Sequence, residues 1–292
     1  MNVRWSIALL VLAVAAPAGA ETLVERGRYL VEGIGACGNC HTPKGPSGDL
    51  PDRRFAGGFE VTDSVGTWVT PNITPDRETG IGRWSDAELV RAIRDGKHRD
   101  GHALGPPMPF AQYRRLSDRD VQAMVAYLRT LPPVRNAVPR SRYTIPLPAS
   151  YGPPVTSVPE PSRRDPVKYG AYLAGPVAHC VECHTPLTAD GRLDETRPFA
   201  GGVPFVGPGG TVYSSNLTPD PETGLGAWTD AEVTRAVVNG LKRGGGMLRP
   251  PMPWPYYAGR VSEADARAIV AYLRTLPPIV NQVPPPRPPA PR

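Results

Sequence analysis

Bulky side chains are scarce in this sequence. Phe, Trp and Tyr make up 7% of its 292 residues, thin material for a core in which aromatics usually supply much of the volume, so something other than protein side chains is expected to help fill it. No compact run of Lys or Arg occurs, and 33 basic against 27 acidic residues leave a net charge of only +6, which speaks against a nucleic-acid partner. Beyond residue 20 no apolar stretch approaches the roughly 20 residues needed to cross hydrocarbon. Cysteine is limited to four residues.

What the chain has in quantity is glycine and proline, 31 and 38 residues. Together they are about a quarter of the chain, close to the range where low-complexity sequence begins. A 40% hydrophobic content argues against wholesale disorder, and the expectation is a folded chain rich in turns.

The first 20 residues have the form of an export signal. Arg4 is the sole charge, Trp5 to Ala16 is apolar apart from Ser6, and Ala18-Gly19-Ala20 offers a small-x-small cleavage site. An apolar run of about 12 residues is short for an uncleaved anchor. The mature chain is expected to begin at Glu21, to be periplasmic, and to be soluble unless a partner holds it at the membrane.

The rest is a tandem repeat. Phe55-Ala56-Gly57-Gly58 recurs at Phe199, Asn72-Ile73-Thr74-Pro75-Asp76 at Asn216, and Pro106-Pro107-Met108-Pro109 at Pro250, each 144 residues on. Ala126 to Pro133 recurs as Ala271 to Pro278, 145 residues on. A period this long means duplication of a whole domain. The expected organisation is domain 1 at 22–134, a proline-rich extended connector at 135–166, domain 2 at 167–280 and a proline-rich tail at 281–292.

The readable elements are helices. Ser85-x-x-Glu88 and Thr229-x-x-Glu232 are capping boxes opening short apolar stripes that stop at Gly96 and Gly240. The last helix of each repeat starts at Ser117 or Ser262 and ends before a double proline. A first helix is expected at about Leu23 to Gly33 and Lys168 to Leu173. Gly66 to Thr70 and Val203 to Val206 are too short and glycine-bounded to count as strands, so the fold class read here is all-α with long loops.

All four cysteines lie in two copies of one pattern, Cys37-Gly38-Asn39-Cys40-His41 and Cys180-Val181-Glu182-Cys183-His184. Residues i and i+3 of a helical turn share a face, so two thiols can add to the two vinyl groups of one porphyrin while the next residue, His, reaches the iron. A zinc site or a pair of disulfides would account for neither the histidine after each pair nor the matched placement in both repeats. Two covalently bound haem c groups are expected, ligated by His41 and His184.

Met108 and Met252 follow the first cysteine of their repeats by 71 and 72 residues, each inside Pro-Pro-Met-Pro. Prolines exclude a helix there and hold the chain extended, which suits presentation of a thioether to the sixth iron position, where it raises the potential and excludes oxygen or peroxide. Other residues are weaker. His98 and His102 face Lys242 and Gly246 at the matching positions, so they are surface histidines rather than axial ligands. Met247 matches Ala103. His179 adjoins Cys180 and lies either near the second haem or at a partner surface. Asn72 and Asn216 either bond haem propionates or close Asn-x-Thr-Pro turns.

At Cys-x-x-Cys-His-Thr-Pro, Phe-Ala-Gly-Gly, Asn-x-Thr-Pro-Asp, Pro-x-Met-Pro and Ala-Tyr-Leu-Arg-Thr-Leu-Pro-Pro, both repeats resemble the class I cytochrome c domains of the cytochrome subunits of bacterial membrane-bound gluconate and alcohol dehydrogenases. Those subunits usually carry three such domains; this chain carries two. The resemblance implies His41/Met108 and His184/Met252 as axial pairs. It also implies a subunit that takes electrons from a dehydrogenase and hands them to a cytochrome or oxidase acceptor in the respiratory chain, with peripheral membrane association through a partner. The expected function is electron transfer without substrate turnover. A dihaem peroxidase is the alternative, and it needs one open iron, against which a methionine in both repeats speaks. A redox or gas sensor would need an output domain, for which no residues remain.

Overall fold

The computed structural model describes residues 20–63, 65–207 and 209–289; all but the last residue of the expected export signal, Ala20, lies outside them. Each repeat opens with a helix that changes pitch partway. In domain 1, α1 (Leu23–Arg28) starts on a Thr22/Glu25 capping box and runs into a π-helical turn at Tyr29–Ile34. A single turn, α2 (Cys37–His41), follows. Next come α3 (Asp86–Asp95), the one-turn α4 (Phe110–Tyr113) and α5 (Asp118–Thr130).

Domain 2 repeats the series with α6 (Pro166–Tyr172) and its π-helical turn Leu173–Val177, α7 (Cys180–His184), α8 (Asp230–Asn239), α9 (Trp254–Tyr257) and α10 (Glu263–Leu273). Pro166 sits in the first turn of α6, where a missing N–H goes unnoticed. The capping boxes at Ser85/Glu88 and Thr229/Glu232 form as expected, and Gly96 (φ 61°) and Gly240 (φ 70°) end those helices in the left-handed conformation that glycine adopts without strain. Ser117 and Ser262 cap α5 and α10.

First and last helices of each repeat cross at a glycine. A Cβ at Gly27 would stand 1.9 Å from the Ala123 carbonyl oxygen, and one at Gly170 the same distance from that of Ala268; only glycine lets α1 lie on α5 and α6 on α10 this closely. Leu30, Val31 and Ile34 fill the space beneath, with Leu173, Ala174 and Val177 in their places in domain 2. A second tie follows from the Ala-Tyr-Leu-Arg motif. Arg129 donates to the carbonyls of Ile81 and Trp84 and to Asp86, and Arg274 repeats this on Leu225, Trp228 and Asp230. The last helix thereby holds the glycine-rich loop that leads into α3 or α8.

The expectation of purely helical domains needs correction. The helical core stands, but short antiparallel strands accompany it: β1 (Lys44–Gly45) with β2 (Gly48–Asp49), β3 (Glu60–Asp63) with β4 (Gly66–Val69), and β6 (Pro204–Gly207) with β7 (Gly210–Tyr213). Both segments dismissed as strands, around Gly66 and Val203, are in these hairpins. Four residues closed by a tight turn are too few to display an alternating pattern, and their pairing partner is what makes them strands.

The connector follows domain 1 closely. Within it β5 (Arg142–Tyr143) adds to β4 with Thr67 opposite Arg142. Tyr143 donates to the Pro106 carbonyl at 2.7 Å, and Tyr151 packs on Phe110 and donates to the Leu104 carbonyl at 2.8 Å. The Val158 carbonyl accepts from the Asp118 N–H at the start of α5. Over its described part the tail does likewise on domain 2. Thr211 and Arg287 exchange two backbone hydrogen bonds of 2.9 Å, and Asn281 donates to the Ala200 carbonyl as Asn136 does to that of Ala56.

The two domains meet through reciprocal contacts. α9 packs on the π-helical turn after α1, and α4 on the turn after α6. Tyr29 donates to Asp265 at 2.5 Å, and its counterpart Tyr172 donates to Asp120 at 2.6 Å. Arg26 also holds Asp120, through two bonds of 2.8 and 2.9 Å, with both residues buried. Tyr169 stands in the place of Arg26 in domain 2. Among the described residues no helix is long and apolar enough to cross a membrane.

Candidate haem sites

Both cysteine clusters are set by the same local device. Ala36 (φ 47°) and His179 (φ 43°) take the left-handed conformation immediately before α2 and α7, breaking the preceding helix so that a fresh turn starts at the first cysteine. On that turn Cys37 and Cys40, or Cys180 and Cys183, lie three residues apart on one face. All four are free thiols. Burial pushes Cys37 and Cys180 up to about 12 and Cys183 to about 11, and raises Cys40 against the pull of Lys44, so all four sit in surroundings that disfavour a thiolate.

The histidines are oriented from behind. The Nδ1–H of His41 donates to the Pro71 carbonyl at 2.9 Å, and that of His184 to the Ser215 carbonyl at 2.7 Å. A carbonyl can only accept, so each bond fixes the tautomer and leaves Nε2 with a lone pair for a metal. Burial lowers both imidazoles below their ordinary range, which keeps them neutral. Pro71 and Ser215 adjoin Asn72 and Asn216, so the Asn-x-Thr turns position these carbonyls.

Those asparagines are themselves fully engaged within the protein. The Asn72 amide donates to the Val134 carbonyl at 2.7 Å and to Thr79, while its oxygen accepts from the Thr74 N–H and hydroxyl. Asn216 does the same with Ile279, Thr223 and Thr218. Of the two roles open to them from sequence, turn closure is the one observed.

Met108 and Met252 are partly buried and pack against the same hydrophobic cluster as Cys37 and Cys180. Met247, by contrast, is exposed, and it pairs across a turn with Leu241. His98 and His102 lie on the outer loop between α3 and Met108, with no part in the cluster.

The way the two sites face each other is not legible in the sequence. Tyr113 of α4 lies close to Cys37 and Cys40, and Tyr257 of α9 close to Cys180 and Cys183; burial and the nearby sulfurs raise both phenols well above their ordinary range. Tyr256, one residue earlier, crosses the interface: a Cβ at Gly38 would be only 3.2 Å from its ring. Its hydroxyl donates to Asp49 and meets Lys44 at 3.3 Å. From the other side Gln112, the counterpart of Tyr256, reaches Glu182, whose carboxyl burial raises. The Cys40 sulfur is near enough to Cys183 for its charge to be felt there. His179 packs edge-on to Tyr113 with ring centroids 5.9 Å apart, so it belongs to the interface between the domains.

Two paired thiols on one turn, an oriented imidazole and a partly buried thioether, in a domain short of bulky core residues, fit a haem attached through two thioethers. The site occurs twice, with the attachment turns turned toward one another.

The family model for cytochrome c matches residues 24–132 and 167–277. A subunit of the nicotinate dehydrogenase of Pseudomonas putida is 33% identical over 267 residues, 87% of this chain and 21% of that protein. The cytochrome c subunit of the quinone-type alcohol dehydrogenase of Gluconobacter oxydans is 31% identical, with 95% of this chain and 61% of that protein covered. A diheme cytochrome c-type protein of Cereibacter sphaeroides is 30% identical, covering 84% of this chain and 83% of that protein. The chain thus spans about a fifth of the first relative and about three fifths of the second.

Proposed function

This chain belongs to the cytochrome c family, and from that membership we propose that it is an exported, periplasmic two-haem electron carrier that takes electrons from a dehydrogenase and delivers them to a respiratory acceptor. Haem c, when bound, supplies a one-electron ferric/ferrous couple. The observation that carries the proposal is the pair of Cys-x-x-Cys-His turns set face to face across a tightly bonded interface.

Cys37 and Cys40, and likewise Cys180 and Cys183, tether the cofactor so that it cannot dissociate. His41 and His184 would hold the iron through Nε2, their rings held by the Pro71 and Ser215 carbonyls. Met108 and Met252 would hold the same iron through their thioether sulfurs, a ligand type that raises the potential and denies the position to oxygen or peroxide. In domain 1 the Met108 segment is braced by the proline-rich connector, through Tyr143 on Pro106 and Tyr151 on Leu104. The connector thereby joins the domains and stiffens a ligand loop together. The dehydrogenase partner is supported by the names of the relatives, two of which are dehydrogenase subunits. Membrane association, on this reading, comes through that partner. None of these three relatives is named as a peroxidase.

The ferric absorption spectrum tests the ligation. Two His/Met sites give the weak long-wavelength sulfur-to-iron band, Met108→Ala or Met252→Ala removes one site's share, and the double variant removes it all. High-spin ferric features in the unaltered protein would overturn the ligation. Co-purification from solubilised membranes, followed by a search for the substrate that reduces the haems, identifies the donor.

A further inference from the structure

Between α3 and the Met108 segment the chain forms a narrow loop. Gly96 and Leu104 close it through a 2.7 Å hydrogen bond, Lys97 pairs with Ala103, and at its tip the His98 N–H donates to the His102 carbonyl and the Gly101 N–H to the His98 carbonyl, both at 2.9 Å. Domain 2 builds the same loop bond for bond. Leu248 closes on Gly240 at 2.6 Å, Leu241 pairs with Met247, Lys242 donates to the Gly246 carbonyl at 3.0 Å, and Gly245 to that of Lys242 at 3.1 Å. The tip in domain 2 is Lys242-Arg243-Gly244-Gly245-Gly246, whereas in domain 1 it is His98-Arg99-Asp100-Gly101-His102. The backbone forms equally well without the histidines and the aspartate, so folding does not account for them.

Their side chains converge. One nitrogen from each histidine and one oxygen from Asp100 all lie within 4.8 Å of one another. His98 Nδ1 is 2.9 Å and His102 Nδ1 2.5 Å from Asp100 Oδ1. The imidazoles stack with centroids 4.4 Å apart, and the Trp84 ring meets His98 edge-on at 4.7 Å. A 3.2 Å bond from the His102 N–H anchors the carboxylate. Arg99, the one basic residue between them, turns outward, its guanidinium 3.5 Å from the Arg83 carbonyl.

We propose that His98, Asp100 and His102 form a binding site for one divalent transition-metal ion of the zinc class, separate from both haems. Two imidazole nitrogens and one carboxylate oxygen are the donor set such ions prefer, and too poor in oxygen for calcium or magnesium. Metal–ligand bonds of about 2.0–2.1 Å at tetrahedral angles place donors roughly 3.3 Å apart, so each histidine nitrogen moves away from the Asp100 oxygen by less than about 1 Å, and the two nitrogens, at most 4.8 Å apart, close by no more than about 1.5 Å to admit the ion. His102 and Asp100 are about half exposed, which leaves an outer coordination position for water or for a donor from another molecule, and makes the ion exchangeable.

The test uses the full-length, untagged holoprotein, stripped with a chelator and titrated with Zn²⁺ by calorimetry, with bound metal counted after desalting. Beside it stands a variant carrying the tip of the second domain, His98→Lys, Asp100→Gly and His102→Gly, whose haem spectrum reports that it is folded. One zinc per chain in the unaltered protein, none in the triple variant, and at least tenfold weaker binding in His102→Ala support the site. Millimolar Ca²⁺ or Mg²⁺ should leave the zinc in place. Zinc retained by the triple variant, no zinc bound by the unaltered protein, or displacement of zinc by Ca²⁺ would each overturn it.

Discussion

The Tyr29 hydroxyl stands 2.5 Å from Asp265 Oδ2, across the domain boundary and 236 residues away in sequence. Tyr172 and Asp120 form the matching bond at 2.6 Å, but the two are not equivalent. Asp120 also receives both arms of Arg26, whereas for the Asp265 carboxylate Tyr29 is the sole hydrogen-bond donor among the described residues.

Unequal costs follow for removing the two hydroxyls. Tyr29→Phe strands a buried carboxylate and should destabilise the protein by about 2–3 kcal/mol, while Tyr172→Phe leaves Asp120 paired with Arg26, strands only the neutral Ser117 N–H that the Tyr172 hydroxyl accepts from, and should cost about 1–2 kcal/mol. Denaturant unfolding of the two variants side by side measures the difference; equal losses would refute the asymmetry.

At the helix crossings, Gly27→Ala and Gly170→Ala each force a methyl onto a backbone oxygen 1.9 Å away. A carbonyl within a helix cannot move aside without shifting α5 or α10, so a loss of about 3 kcal/mol is expected for either. Gly245→Ala, at a loop position with nothing within 4 Å, is the control for general effects of losing a glycine; only its positive φ of 92° should count against it. Thermal unfolding ranks the three.

Burial pushes His179 down to about 4 from an ordinary value near 6.5. Between those values the unfolded chain accepts a proton that the folded chain refuses, so stability is lost as pH falls from about 6.5 to 4, by about 2–3 kcal/mol at the lower end. His179→Ala, which installs the residue found at the matching position in domain 1, should flatten that part of the profile. Unfolding free energies at pH 7 and 4.5 for both proteins check it, and parallel profiles would contradict it.

Tyr143→Phe removes the bond from the connector to Pro106, two residues before Met108. At about 1 kcal/mol this should loosen the loop enough to raise the affinity of the first site for added imidazole by roughly five- to tenfold, leaving the second site unchanged. Spectral titration of the ferric protein separates the two.

Features that a few neighbouring residues decide were legible before any coordinates. The capping boxes at Ser85 and Thr229, the glycine stops at Gly96 and Gly240 and the Cys-x-x-Cys-His turns all depend on contacts within four or five positions. Thr22-x-x-Glu25 is a further capping box of the same form and was equally readable. The hairpins were not, because β3 and β6 are only four residues long and acquire their character from β4 and β7. Nor was the interface: nothing near Tyr29 in sequence points to Asp265, and the crossing of Tyr256 to Gly38 joins residues over 200 positions apart. Arg129 and Arg274 were visible as repeated residues, but their grip on the carbonyls of Ile81 and Trp84, or Leu225 and Trp228, exists only once the loops have folded back.

The way residues 136–158 wrap the first domain bears on where the chain can be divided. A fragment stopped after the double proline at 132–133 would lose the third strand, both tyrosines that brace the Met108 segment, and the Val158 carbonyl at the head of α5. An isolable amino-terminal half must therefore carry those residues with it and end at or after Glu160, whose carboxylate lies 3.3 Å from Arg119. By the same logic the carboxy-terminal half needs its polypeptide through Arg287, so Pro284, Pro285 and Pro286 are working sequence to be kept when the gene is trimmed.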